Sequence, residues 1–152
     1  MIRIVPVIDH RVRGLCVHEY PGHPKGCPNF GKRSNCPPAA PFFERTYDMG
    51  SPIYAVVNEF DLGGHFRKMK EKHPGWSDRQ ACCSLYWQPK ARKKLRLKTE
   101  KALLELPGYT AETCPEALGV DVTATMADAG ITLEWPAREI ARQVTFLARK
   151  LF

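Results

Sequence analysis

IYAVVNEF, residues Ile53–Phe60, is a nearly continuous run of apolar and β-branched residues. Its length suits a strand, and a run with so little polar alternation belongs in the middle of a sheet, where both faces are covered. Asp61 follows directly and predicts a helix N-cap. The helix it opens ends at His73-Pro74-Gly75, and Gly63 and Gly64 weaken its first turn. Working outward, Arg3–Ile8 (RIVPVI) reads as a short strand, which Pro6 confines to an edge or a bulge. Pro41 opens a short helix, PFFERTYDMG, closed by Gly50. Ser77 and Gln80 have capping-box spacing, predicting a helix to about Leu106 with a kink or break at Pro89. Asp121 caps a helix over VTATMADA, closed by Gly130. Ile131–Trp135 and Arg142–Ala148 complete the expected strands. Strands interspersed with helices predict a single α+β (or α/β) domain over residues 1–152, a small mixed sheet of about four strands with packed helices.

A chain of 152 residues is long enough to bury a real core, and 43% hydrophobic with 26% charged residues is ordinary for a globular protein. No stretch approaches the roughly 18 apolar residues that span a bilayer, so no membrane association is expected. MIRIVPVIDH, with Pro6 and Asp9, is unlike a signal peptide. The expectation is a cytoplasmic protein with reduced thiols, and cysteines in that setting more often bind metal or do chemistry than pair.

One segment does not fit this plan. Residues 14–41 form a long loop containing CVHEYPGHPKGCPNFGKRSNCPP, with Cys16, Cys27 and Cys36. Its prolines and glycines exclude regular helix, and Val17, Tyr20 and Phe30 are too few to build a core. A loop of this length inside a small domain needs something other than packing to order it. A metal or metal cluster on Cys16, Cys27 and Cys36 is the reading, against the plain alternative of buried reduced thiols.

The C-x10-C-x8-C spacing lacks the close pairs of a zinc finger. Cys27, Cys36 and Cys114 are each followed by proline, as in bacterial ferredoxin ligation. An iron–sulfur cluster, 4Fe–4S by preference, is therefore expected, with Zn2+ as the alternative. Cys83 is the favoured fourth cofactor-binding residue, beside Cys82, Cys114, His18 and His23 as further candidates. Without a fourth thiolate one iron stays open for Lewis-acid chemistry; with one, a redox role and an electron-transfer partner follow.

CPNFGKRSNCPP, Cys27–Pro38, resembles the C-P-x-[YF]-G-x4-C-P-P signature of small cysteine-rich bacterial and archaeal proteins described as predicted metal-binding. CPEALGVDVTATMADAGI, Cys114–Ile131, resembles the C-terminal block of that family, where G-[IV]-D-V precedes a helix and a glycine. The resemblance implies metal or iron–sulfur binding at Cys16, Cys27 and Cys36. Typical members carry further closely spaced cysteines before the C-terminal block, whereas this chain has Cys82, Cys83 and the isolated Cys114. A second cluster is not expected.

His10, His65 and His73 read as surface or core residues, and Asp121 as an N-cap. Tyr86, Trp87 and Trp135 read as packing residues, with Tyr86 and Trp87 as an alternative active-site wall because they follow Cys82 and Cys83. Lys90, Arg92, Lys93, Lys94, Arg96, Lys98 and Lys101 stand against Glu100 alone, so one segment carries +6 of the formal net charge of +7. The simplest reading is a solvated helix face; the functional one is contact with nucleic acid or a phosphate-bearing substrate, joined by Lys32 and Arg33 if the helix lies beside the loop. A zinc-stabilised nucleic-acid-binding module, or a metal-dependent enzyme modifying a nucleotide or nucleic acid, is thus the alternative function. No Walker loop, dinucleotide fingerprint or nucleophile elbow is present.

Overall fold

The apolar run Ile53–Phe60 forms an inner strand of the sheet. The computed structural model describes residues 1–20 and 23–152. In chain order it has β1 (Ile2–Ile4), β2 (Val7–Ile8), a first 3-10 helix (His10–Val17), α1 (Phe43–Thr46), β3 (Ile53–Asp61), α2 (Leu62–Lys72) and α3 (Asp78–Ala81). A second 3-10 helix (Ser84–Tyr86) leads into α4 (Gln88–Leu104), and β4 (Tyr109–Glu112) into a third 3-10 helix (Pro115–Leu118). The chain closes with β5 (Val120–Asp121), α5 (Val122–Asp128) and β6 (Ile140–Arg149).

Four strands pair in the order β1-β3-β6-β4, and β2 with β5 form a separate two-stranded sheet. The fold is α+β, and every pairing is antiparallel, so the sheet is not mixed. No crossover helix joins parallel neighbours, which is what a mixed sheet would need. In the register of β3 with β6, Ala55 faces Phe146 and Tyr54 faces Leu147. The period of two therefore sends Ile53, Ala55, Phe146 and Ala148 to one face, and Val56 and Leu147 to the other.

The first face packs on Phe43 and Tyr47 around α1, Ala117 and Leu118 of the third 3-10 helix, Val120 of β5, and Val122 and Met126 of α5. Phe43 and Phe146, both fully buried, meet edge to face at 6.3 Å. The second face packs on α4 through Leu95, Ala102 and Leu103. Buried Asn58 on that face donates to the Ala91 carbonyl at 3.3 Å, satisfying a polar group that burial would otherwise penalise. The result is three layers, with β3 and β6 covered on both sides.

Several expected elements differ. Pro6 divides RIVPVI between two sheets, because a residue with no N–H cannot continue the ladder. The single helix expected from Ser77 is α3, a 3-10 turn and then α4. Its capping box forms as expected, but Pro89 lies in the first turn of α4, where its missing N–H costs nothing, so it starts a helix and does not kink one. Ile131–Trp135 is not a strand: Leu133 and Ile131 pack on the first core, but this segment pairs with no strand. The first 3-10 helix, β4 and the third 3-10 helix have no counterpart among the elements expected from sequence. Among the described residues, no helix is long and apolar enough to cross a membrane.

Candidate metal centre

The two 3-10 helices of the first face pack against each other and carry the cysteine site. Asp9 caps the first, its carboxylate accepting from the Arg11 backbone N–H at 3.0 Å. The Asp9 N–H donates to the Gly119 carbonyl at 2.8 Å, just past the third 3-10 helix. Gly119 has φ of 88°, and a Cβ there would lie 2.7 Å from His10 Cδ2, so only glycine permits this approach. His10 in turn stacks on Phe42 at 3.7 Å, and its Nε2 lies 2.6 Å from Glu44 Oε1. Arg13 donates through Nη2 to the Ala40 carbonyl at 2.7 Å and sits over the Phe42 ring. The first 3-10 helix is thereby fixed to both the third one and the far end of the cysteine loop.

Cys16 lies in the last turn of that first helix. The Cys27 N–H donates to the Cys16 carbonyl at 2.8 Å, bringing the second cysteine back to the first. Gly26 makes this close: its φ is 81°, and a Cβ would stand 2.6 Å from the Cys16 carbonyl oxygen. Cys36 closes a turn from Arg33 at 3.0 Å, and its carbonyl accepts from Ala40 at 2.9 Å. Cys114 enters from β4. Its N–H donates to Glu112 Oε1 at 2.9 Å, and its carbonyl accepts from Ala117 at 3.0 Å, opening the third 3-10 helix.

The thiols feel one another. Burial pushes the Cys16 thiol up, and the neighbouring Cys27, Cys36 and Glu116 add to the rise, with Arg13 opposing it. Cys114 is exposed at the surface, yet desolvation by the protein around it likewise pushes its thiol up, then Glu116; a hydrogen bond with Thr113 opposes, and Glu112 and Cys36 add. Tyr20 is raised by burial and then by Cys27 and Cys16. Like charges disfavour each other's ionisation, over distances up to about a Debye length. These influences join Cys16 to Cys27 and Cys36, and Cys36 to Cys114, so the members of each pair lie within electrostatic reach, on the order of 10 Å. Glu116 sits beside them, its carboxyl pushed up by burial first and then by Glu112 and Asp121. All four cysteines are free thiols. Among the described residues, no three His, Cys, Asp or Glu side chains are already placed to hold one metal ion.

The other candidates lie elsewhere. Cys82 caps the C-terminus of α3 and Cys83 precedes the second 3-10 helix; these elements pack on α2 and α4, on the second face of the sheet. Cys82 is pushed up by burial and by Asp78, with no contribution from a loop thiol. The sheet therefore stands between Cys82 and Cys83 and the loop cysteines, and Cys83 is not in position to be their fourth ligand. His18 is exposed at the end of the first 3-10 helix. His23 pairs with Tyr20 through two backbone hydrogen bonds, 2.8 and 3.2 Å, with the rings 4.6 Å apart. The basic residues of α4 are also on the second face, so the helix does not lie beside the loop with its Lys32 and Arg33. Glu116 is absent from the candidates read in the sequence. Its only trace there is the Cys114-Pro115-Glu116 step.

No protein-family model matches the chain, and neither a curated protein nor a solved structure matches it.

Proposed function

We propose that this protein binds a metal centre through Cys16, Cys27, Cys36 and Cys114, and that the centre is an iron–sulfur cluster of the 4Fe–4S type. The observation that supports the reading is that free thiols from three separate segments, the first 3-10 helix, the loop, and the link between β4 and the third 3-10 helix, lie within electrostatic reach of one another. A soft cation binding here would displace the thiol protons and hold the resulting thiolates together. The donor set fits such a group, since four cysteine thiolates are the ligands of both four-iron clusters and closed zinc sites. The Cys-Pro steps at Cys27, Cys36 and Cys114 favour the cluster.

With four protein thiolates the site is closed. A closed cluster supplies one-electron redox chemistry or structural cross-linking, and not an open coordination position for substrate. Around it, Arg13 offsets negative charge at Cys16, while Glu116 adds to it. Anaerobic reconstitution with iron and sulfide, followed by metal and sulfide analysis, tests the proposal. About four irons and about four sulfides per chain, with brown absorption, are expected of a cluster held by cysteine thiolates alone. A colourless protein holding a single zinc would overturn it.

A further inference from the structure

The second face of the sheet carries a surface that the metal centre does not use. Between Arg67 and Lys101 the sequence has twelve Lys or Arg against three Asp or Glu, a formal +9, more than the +7 of the whole chain. These residues lie on α2, α3, α4 and their connections. Some cations are engaged: Arg67 with Glu139 at 3.5 Å, Lys70 with Asp78 at 3.3 Å, and Arg96 with Glu100 at 3.8 Å. Lys90, Arg92, Lys93 and Lys94 are exposed and have no acidic partner among the described residues.

Flat rings stand at the head of this basic helix. His73 stacks on Trp76 at 4.0 Å with planes 12° apart, and Trp76 stacks on Tyr86 at 5.4 Å and 23°. Beside them Phe60 stacks on Trp87 at 4.8 Å and 8°. The rings are held in place: Lys70 Nζ donates to the Trp76 carbonyl at 2.8 Å, and Trp87 Nε1 to the Cys82 carbonyl at 3.2 Å. Tyr86 ends the His73–Trp76–Tyr86 ladder and remains 59% exposed, so the stack has room for another ring. Trp87 caps α4, which places Lys90, Lys93 and Lys94 within about two helical turns of the rings.

We propose that this face binds single-stranded nucleic acid, with a base stacked on the Tyr86 end of the ladder and the phosphate backbone along the first turns of α4. Charge complementarity selects a polyanion. A fixed stack of near-parallel rings with an exposed Tyr86 at its end, beside the cations, selects one with unpaired bases, since every base offers a π-face whatever its sequence. An acidic polypeptide would match the charge but would leave the ladder unused, and a duplex would keep its bases from it.

The test titrates the full-length protein into labelled single strands of about twelve nucleotides, one DNA and one RNA of the same sequence. The duplex and polyglutamate serve as competitors, at about 50 and about 200 mM salt. Single strands should bind more tightly than duplex or polyglutamate, with affinity falling steeply as salt rises. Tyr86→Ala should weaken binding about tenfold and Tyr86→Phe should not, because the ring and not the hydroxyl is used. The Lys93→Glu/Lys94→Glu double variant should weaken binding further and flatten the salt dependence. A preference for either strand supports the proposal and names its sugar. Absence of binding at low salt, polyglutamate equal to the single strands, or an unchanged affinity in Tyr86→Ala would overturn it.

Discussion

At Gly26 the backbone turns with a φ of 81°, and any side chain would strike the Cys16 carbonyl oxygen. Gly26→Ala should therefore push Cys27 away from Cys16 while leaving the buried core untouched. The expected result is a metal affinity at least about tenfold weaker, with a urea midpoint close to wild type, measured by chelator competition and denaturation. His65 sets a pH dependence on the other face. Burial first, then Lys68, lowers its pKa from the ordinary 6.5, and its Nε2 is buried with no hydrogen-bond partner among the described residues. The folded state thus binds fewer protons than the unfolded one just below that value, so this contribution is complete above it and is lost as the pH falls toward the lowered value. Urea midpoints should drop between about pH 7.5 and about pH 5.5, and His65→Gln should flatten that drop. At this scale the proposed ligands Cys16, Cys27 and Cys36 are read from their loop, and Cys114 only as one of several candidates. What separates it from Cys83 is the side of the sheet each reaches, which no local pattern records.

Elements are legible where apolar period and capping agree. IYAVVNEF forms the central strand β3, and Asp61, Ser77 and Asp121 each accept from a backbone N–H in the first turn of the helix they cap. The strand expected over Arg142–Ala148 forms as β6, longer at both ends because β3 and β4 both pair with it. The 3-10 helices are illegible because they rest on neighbours and not on period: the first has no buried residue and is held by Gly119, Phe42 and Ala40. Phe146 is the element-scale test of the core. It is fully buried and opposes Ala55 while meeting Phe43, so Phe146→Ala should cost about 3–5 kcal/mol in urea denaturation, with metal lost only as the fold is lost.

At the scale of the whole molecule, the sheet divides the chain into two chemical faces. Cysteines and Glu116 gather over the first, through packing that includes Phe43, Leu118 and Val120; cations and stacked rings gather over the second, around α4. The two should therefore fail independently. Cys114→Ala should lose metal and keep oligonucleotide binding, and Tyr86→Ala should do the reverse, with both read on the same preparations. The central claim is narrower: that Cys114, from the link after β4, completes the ligand set begun by the loop. Its most direct measurement is iron and sulfide content, with the absorption spectrum, for wild type, Cys114→Ala and Cys83→Ala after identical anaerobic reconstitution. A loaded, brown wild type is predicted, with an equally loaded Cys83→Ala and a Cys114→Ala that loses most of its iron; full loading of Cys114→Ala with loss in Cys83→Ala would contradict the claim.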